Sequence, residues 1–138
     1  MFSQINSCSL ARFFGTFLGA TLLLSACSAT GDKNFTGNEA ALPIMENIAL
    51  NARNCWFKSG AKGFQAYRLA PELKSYSDRP RVLIVPYHNP GERPLLVVEA
   101  RGNPARIAAY GPLMQTNLSQ KISRDLLNWS GGGKKCQG

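Results

Sequence analysis

The chain has 138 residues and a formal net charge of +8 at pH 7, with 16 Lys and Arg against 8 Asp and Glu. Its length suits one domain, and 44% hydrophobic residues give it enough apolar material for a core. One histidine, and four cysteines without a CxxC spacing, leave no ligand set for a metal centre.

The N-terminus reads as a secretory leader. Residues 1–12 are polar with one charge, Arg12, and residues 13–24 are apolar apart from Gly15, Thr16, Gly19 and Thr21. A small-residue stretch, Ser25-Ala26-Cys27-Ser28-Ala29, follows. The apolar run is about twelve residues, whereas a membrane-spanning helix needs roughly twenty.

Leu24-Ser25-Ala26-Cys27 resembles a lipobox, the processing site of bacterial lipoproteins. The resemblance covers this segment alone. It implies a signal peptide over residues 1–26 and a diacylglyceryl group on the Cys27 thiol. It also implies an acylated amine on Cys27, with palmitate incorporated into the protein. Two or more acyl chains make attachment to a membrane stable, where one gives only marginal binding. Ser28 stands where an aspartate would favour inner-membrane retention, so the resemblance implies an outer-membrane protein facing the periplasm. Residues 27–35 are then expected to be a short polar tether, and residues 36–138 a single domain.

Thr36-Gly37-Asn38-Glu39 has the spacing of a capping box and predicts a helix over residues 36–54. Pro43 argues for a start nearer Ala41. Leu42, Met45, Ala49, Ala52 and Trp56 recur at near-helical spacing, with Ile48 and Cys55 widening the face. A turn over residues 58–63 leads to a strand over 64–69, which Pro71 either ends or marks as a sheet edge.

The runs at 81–85 and 95–98 read as buried strands. Pro90-Gly91 between them predicts an antiparallel hairpin. Gly102-Asn103-Pro104 is the next turn, and residues 105–110 a fourth strand. Leu118, Ile122, Leu126 and Trp129 share one helical face, with Thr116 or Asn117 as cap and Gly131 as stop. The expected fold is α+β: an antiparallel sheet of about four strands packed by an N-terminal and a C-terminal helix. Strands apolar on both faces predict cover on more than one sheet face.

Cys8 lies in the leader and, by the lipobox resemblance, Cys27 carries lipid. Cys55 and Cys136 remain in a compartment that permits disulfides, and they are expected to pair. The bridge would fasten a tail beyond Gly131-Gly132-Gly133 that would otherwise fray.

The sequence offers little catalytic chemistry. No G-x-S-x-G surrounds a serine, no phosphate-binding glycine loop is present, and His88 sits in a Pro/Gly loop as an expected exposed residue. A deep pocket lined by His88, Glu92 or Glu99 would revive an enzymatic reading. No cofactor is expected.

Charge is the remaining signal. The leader holds one arginine and no acid, so the processed chain keeps a side-chain charge of about +7. Arg68, Arg79, Arg81, Arg93, Arg101 and Arg106 all lie on or beside expected strands. They are candidates for binding anions, because guanidinium groups match phosphate and carboxylate geometry.

Two functions follow, with the membrane as the site of both and nucleic acid excluded by the compartment. The first is a non-catalytic envelope adaptor or assembly component that binds another envelope protein. At the level of fold alone, the architecture resembles small accessory lipoproteins of outer-membrane assembly machines. The alternative is a direct binder of an anionic envelope polymer or lipid, such as peptidoglycan or lipopolysaccharide. A lysozyme inhibitor is disfavoured, since basic would meet basic. An exposed apolar patch would favour a protein partner, and clustered arginines an anionic polymer.

Overall fold

The computed structural model describes residues 31–74 and 77–137. The expected leader, Cys8 and Cys27 lie outside the described residues. The elements in chain order are β1 (Lys33–Thr36), α1 (Ala41–Ala52), a π-helical turn (Arg53–Lys58), β2 (Tyr67–Glu72) and β3 (Arg81–Pro86). They continue with β4 (Leu96–Arg101), β5 (Arg106–Tyr110), a 3₁₀ turn (Pro112–Gln115) and α2 (Ser119–Ser130). The five strands form one antiparallel sheet in the order β1-β5-β4-β3-β2. The fold is α+β, with five strands where about four were expected.

Alternation along the strands sorts the side chains. Val82, Ile84, Leu96, Val98, Ala100, Ile107 and Ala109 point to one face and join the apolar stripes of α1 and α2 in the core. Both helices therefore pack on the same side. The expectation of cover on a second face is corrected: among the described residues no helix or strand lies across it. Leu83 and Val85 point to that open face, where the register sets Ala70 and Val97 beside Leu83 and Arg68 beside Val85. Aliphatic stems and small neighbours bury them without another layer.

The added strand, β1, corrects the tether. Its four residues Lys-Asn-Phe-Thr carry one large apolar side chain, too little to read as a strand, yet they pair with β5 from Lys33↔Ala109 to Thr36↔Arg106. Thr36 is thus occupied as a strand residue, and the expected capping box does not form. Helix α1 begins at Ala41 after Ala40, without a side-chain cap. Its first turn is anchored instead by the Ala41 N–H donating to the Gly102 carbonyl at 3.0 Å. The late start also turns Leu42 outward, while Ala41 and Ile44 take its place on the buried stripe.

The π-helical turn widens the end of α1 by one residue. The Ser59 N–H reaches back five residues to the Asn54 carbonyl, and both Cys55 and Trp56 face the core. Phe64, expected to open the strand over residues 64–69, is buried in the preceding turn and stacks on Trp56 at 4.9 Å between ring centroids. Its apolar character serves the core, and the strand starts three residues later.

Strand β2 forms one sheet edge. The Tyr87 N–H donates to the Ala66 carbonyl, which sets the ladder's alternation so that Pro71 turns its nitrogen away from β3. Proline costs no ladder bond there.

Ile122, Leu126 and Trp129 of α2 are fully buried, as expected, and Gly131 follows as the C-cap. The expected side-chain cap falls one step early: Leu118 is the residue preceding the helix, and the Thr116 hydroxyl accepts from the Leu118 N–H at 3.2 Å while donating to the Leu113 carbonyl at 2.8 Å. The Cys55–Cys136 disulfide is present, spanning 81 residues. The tail runs back beside α2. Asn47 and Asn51 amides donate to the Gly133 carbonyl, and the Asn128 amide and Trp129 indole donate to Lys135. A Cβ on Gly133 would sit 2.7 Å from the Asn128 carbonyl oxygen, so glycine permits this close return.

Candidate anion-binding face

The open sheet face is ordered in rows that cross the strands. One row, Ala70-Leu83-Val97-Tyr110, is apolar but for the phenol. The next is Glu72-Arg81-Glu99-Ala108-Asn34. The last, at the sheet's far end, is Arg101-Arg106-Thr36, and Arg79 precedes β3 by two residues. A mostly apolar row thus gives way to a charged end.

Four of the six candidate arginines meet at that end: Arg79, Arg81, Arg101 and Arg106. Arg81 pairs with Glu72 at 2.5 Å, and its Nε has no hydrogen-bond partner among the described residues. Both groups are partly exposed, so the pair itself adds little stability. Glu99 stands opposite Arg81 and accepts a hydrogen bond from the Tyr110 hydroxyl at 3.2 Å. Burial, then the Glu99 charge and that hydrogen bond, push the Tyr110 phenol above its ordinary pKa, while Arg81 and Arg79 pull it down.

Arg68 and Arg93 do not join the cluster. Arg68 lies at the other end of the face, its guanidinium 4.2 Å from the centroid of the Tyr87 ring. Arg93 is exposed in the β3–β4 loop.

A depression of about 530 Å³ opens at the arginine end, lined in part by Asn34, Thr36, Glu99, Arg101, Arg106 and Leu127. A second cleft of about 440 Å³ lies at the opposite end among Trp56, Phe57, Phe64, Tyr67, Arg68 and Tyr87. His88, Glu92 and Glu99 do not converge on one cavity. His88 is exposed against the edge of Tyr87, Glu92 accepts from the Asn89 amide, and Glu99 belongs to the arginine end. Among the described residues, no group of three or more His, Cys, Asp or Glu is placed to hold a metal ion. None of the described helices is long and apolar enough to cross a membrane.

The sequence marks the arginines but not their companions. Asn34 and Thr36 escape because they sit in the segment read as tether. Glu99 and Tyr110 become part of the site only through the β4–β5 register. The signal available was the alternation of Glu99 and Arg101 at the end of an apolar strand. No protein-family model, curated protein or solved structure matches this chain.

Proposed function

We propose that this chain is a lipid-anchored, non-catalytic envelope protein whose open sheet face binds an anionic envelope polymer or lipid. The observation that carries the reading is the convergence of Arg81, Arg101 and Arg106 at one end of a face no helix covers, with Arg79 near enough for its charge to act on Tyr110. Only Glu72 and Glu99 oppose them in the adjoining row, so the end keeps an excess of positive charge.

The adaptor reading has less support. Leu83 and Val85 are nearly buried, so the open face offers little apolar area to a protein partner. The exposed large hydrophobics Leu42, Leu50, Tyr87 and Leu127 are spread over α1, the β3–β4 loop and α2. That scatter is ordinary for a protein surface.

The anchor supplies proximity. Six residue steps separate Cys27 from Lys33, so the covalent reach between them is at most ~20 Å. A lipid on Cys27 holds the basic face close to envelope material and raises its effective concentration there. Two experiments test the two halves of the reading. Labelled palmitate should enter the protein and be lost in Cys27→Ser. The protein should sediment with lipopolysaccharide or peptidoglycan in a salt-sensitive way. An unlabelled wild type would refute the anchor, and salt-independent sedimentation or none would refute the anionic partner.

A further inference from the structure

Within the basic end, one pair of residues is arranged against the interest of the fold. Arg101 and Arg106 stand directly opposite each other on β4 and β5. Cross-strand partners have Cα atoms about 5 Å apart, and like charges in that position destabilise a sheet. Neither arginine forms an ion pair: among the described residues the ion pairs are Arg81–Glu72 and Lys121–Asp125. Glu99, the acid on the same strand, already accepts from Tyr110.

The row continues in the same sense. Thr36 is the register partner of Arg106 on β1, so two arginines and a threonine share one row across three strands. All three line the depression, and Asn34 adds an amide beside them. The set is rich in donors, and its two positive charges stand against one acid in the depression, Glu99.

We propose that Arg101, Arg106 and Thr36 form a subsite for a phosphate monoester. The charge decides the class. A phosphate monoester carries about −1.5 to −2 at pH 7 with three strong acceptor oxygens, whereas a carboxylate carries only a single negative charge. Two guanidinium forks bind such a group through several charge-assisted hydrogen bonds, and the bound dianion removes their mutual repulsion. The subsite deepens the reading above, on which it rests for its source: a phosphorylated envelope glycolipid.

Thermal unfolding of the full chain in mild detergent tests the subsite. Inorganic phosphate is the probe, with acetate at equal ionic strength as the comparison. Phosphate should raise the midpoint progressively with the logarithm of its concentration, by roughly 5 °C or more at ten times its dissociation constant. Arg101→Gln and Arg106→Gln should each abolish that shift while unfolding no lower than wild type, because each relieves the repulsion. Equal shifts from acetate and phosphate, or a phosphate shift retained in both variants, would overturn the subsite. Sedimentation with native and dephosphorylated lipopolysaccharide then separates the two proposals. Loss of binding on dephosphorylation supports both. Undiminished binding overturns the phosphate subsite and leaves the anionic-face reading standing. A phosphate shift without any polymer binding overturns the envelope source and leaves the subsite standing.

Discussion

The Trp56 indole N–H donates to the Asp125 carboxylate at 2.6 Å, joining two fully buried side chains 69 residues apart. The same carboxylate accepts from the Gln137 backbone N–H at 3.0 Å and pairs with Lys121 at 3.2 Å. One buried acid thus ties together the π-helical turn, α2 and the returning tail. A buried donor stripped of its acceptor pays its full desolvation cost. Asp125→Ala strands the buried Trp56 indole and takes the acceptor from the Gln137 backbone N–H, while Lys121 keeps the Gln137 carbonyl as its one remaining partner. It should cost about 3 kcal/mol or more, read as a lower urea midpoint at unchanged slope. A loss under about 1 kcal/mol would show that this network contributes little.

The Cys55–Cys136 bridge closes a loop of 81 residues in sequence separation. In the chain-entropy account such a loop stabilises by about 4 kcal/mol, chiefly by restricting the unfolded chain. Cys136→Ser should lower stability by about that amount. It should also speed amide exchange through residues 131–137, whose hold on Asn47, Asn51 and Asp125 depends on the tail staying in place. Unchanged exchange in the tail would assign its position to the hydrogen bonds alone.

Tyr110 supplies a pH signature for the open face. Its phenol has a folded pKa raised above 10.0, by burial first and by Glu99 next. Below pH 10 both folded and unfolded chains hold the proton, and the contribution to stability is complete. Above it the unfolded chain releases the proton first, so stability falls as pH rises through the folded pKa. Wild type should therefore lose more stability above pH 10 than Tyr110→Phe does, measured as the difference between their alkaline unfolding curves. Parallel curves would mean that Glu99 and burial leave the phenol unperturbed.

The sequence carried most of the scaffold because period and punctuation were strong there. The β3–β4 hairpin follows from two apolar runs around Pro90-Gly91, and α2 from Ile122, Leu126 and Trp129 on one face. The disulfide follows from counting thiols. Three features were illegible for physical reasons. Strand β1 has four mostly polar residues, and only its pairing with β5 makes it a strand. Phe64 looks like a strand residue until Trp56 provides a ring to stack on. The arginine cluster is a property of register: Arg101 and Arg106 lie five residues apart, and a shift of one step would put one of them on the helix-covered face.

The central claim is that the open face binds anionic envelope material through its arginine end. The most direct measurement is sedimentation of the protein with isolated lipopolysaccharide and peptidoglycan across a salt series. It compares wild type with the combined Arg79→Gln, Arg81→Gln, Arg101→Gln and Arg106→Gln variant. Arg68→Gln with Arg93→Gln serves as a control of the same residue type outside the cluster. The account predicts salt-sensitive binding to at least one polymer, weakened about tenfold or more in the fourfold variant and little changed in the control. Equal binding by wild type and the fourfold variant, with the same salt dependence, would contradict it.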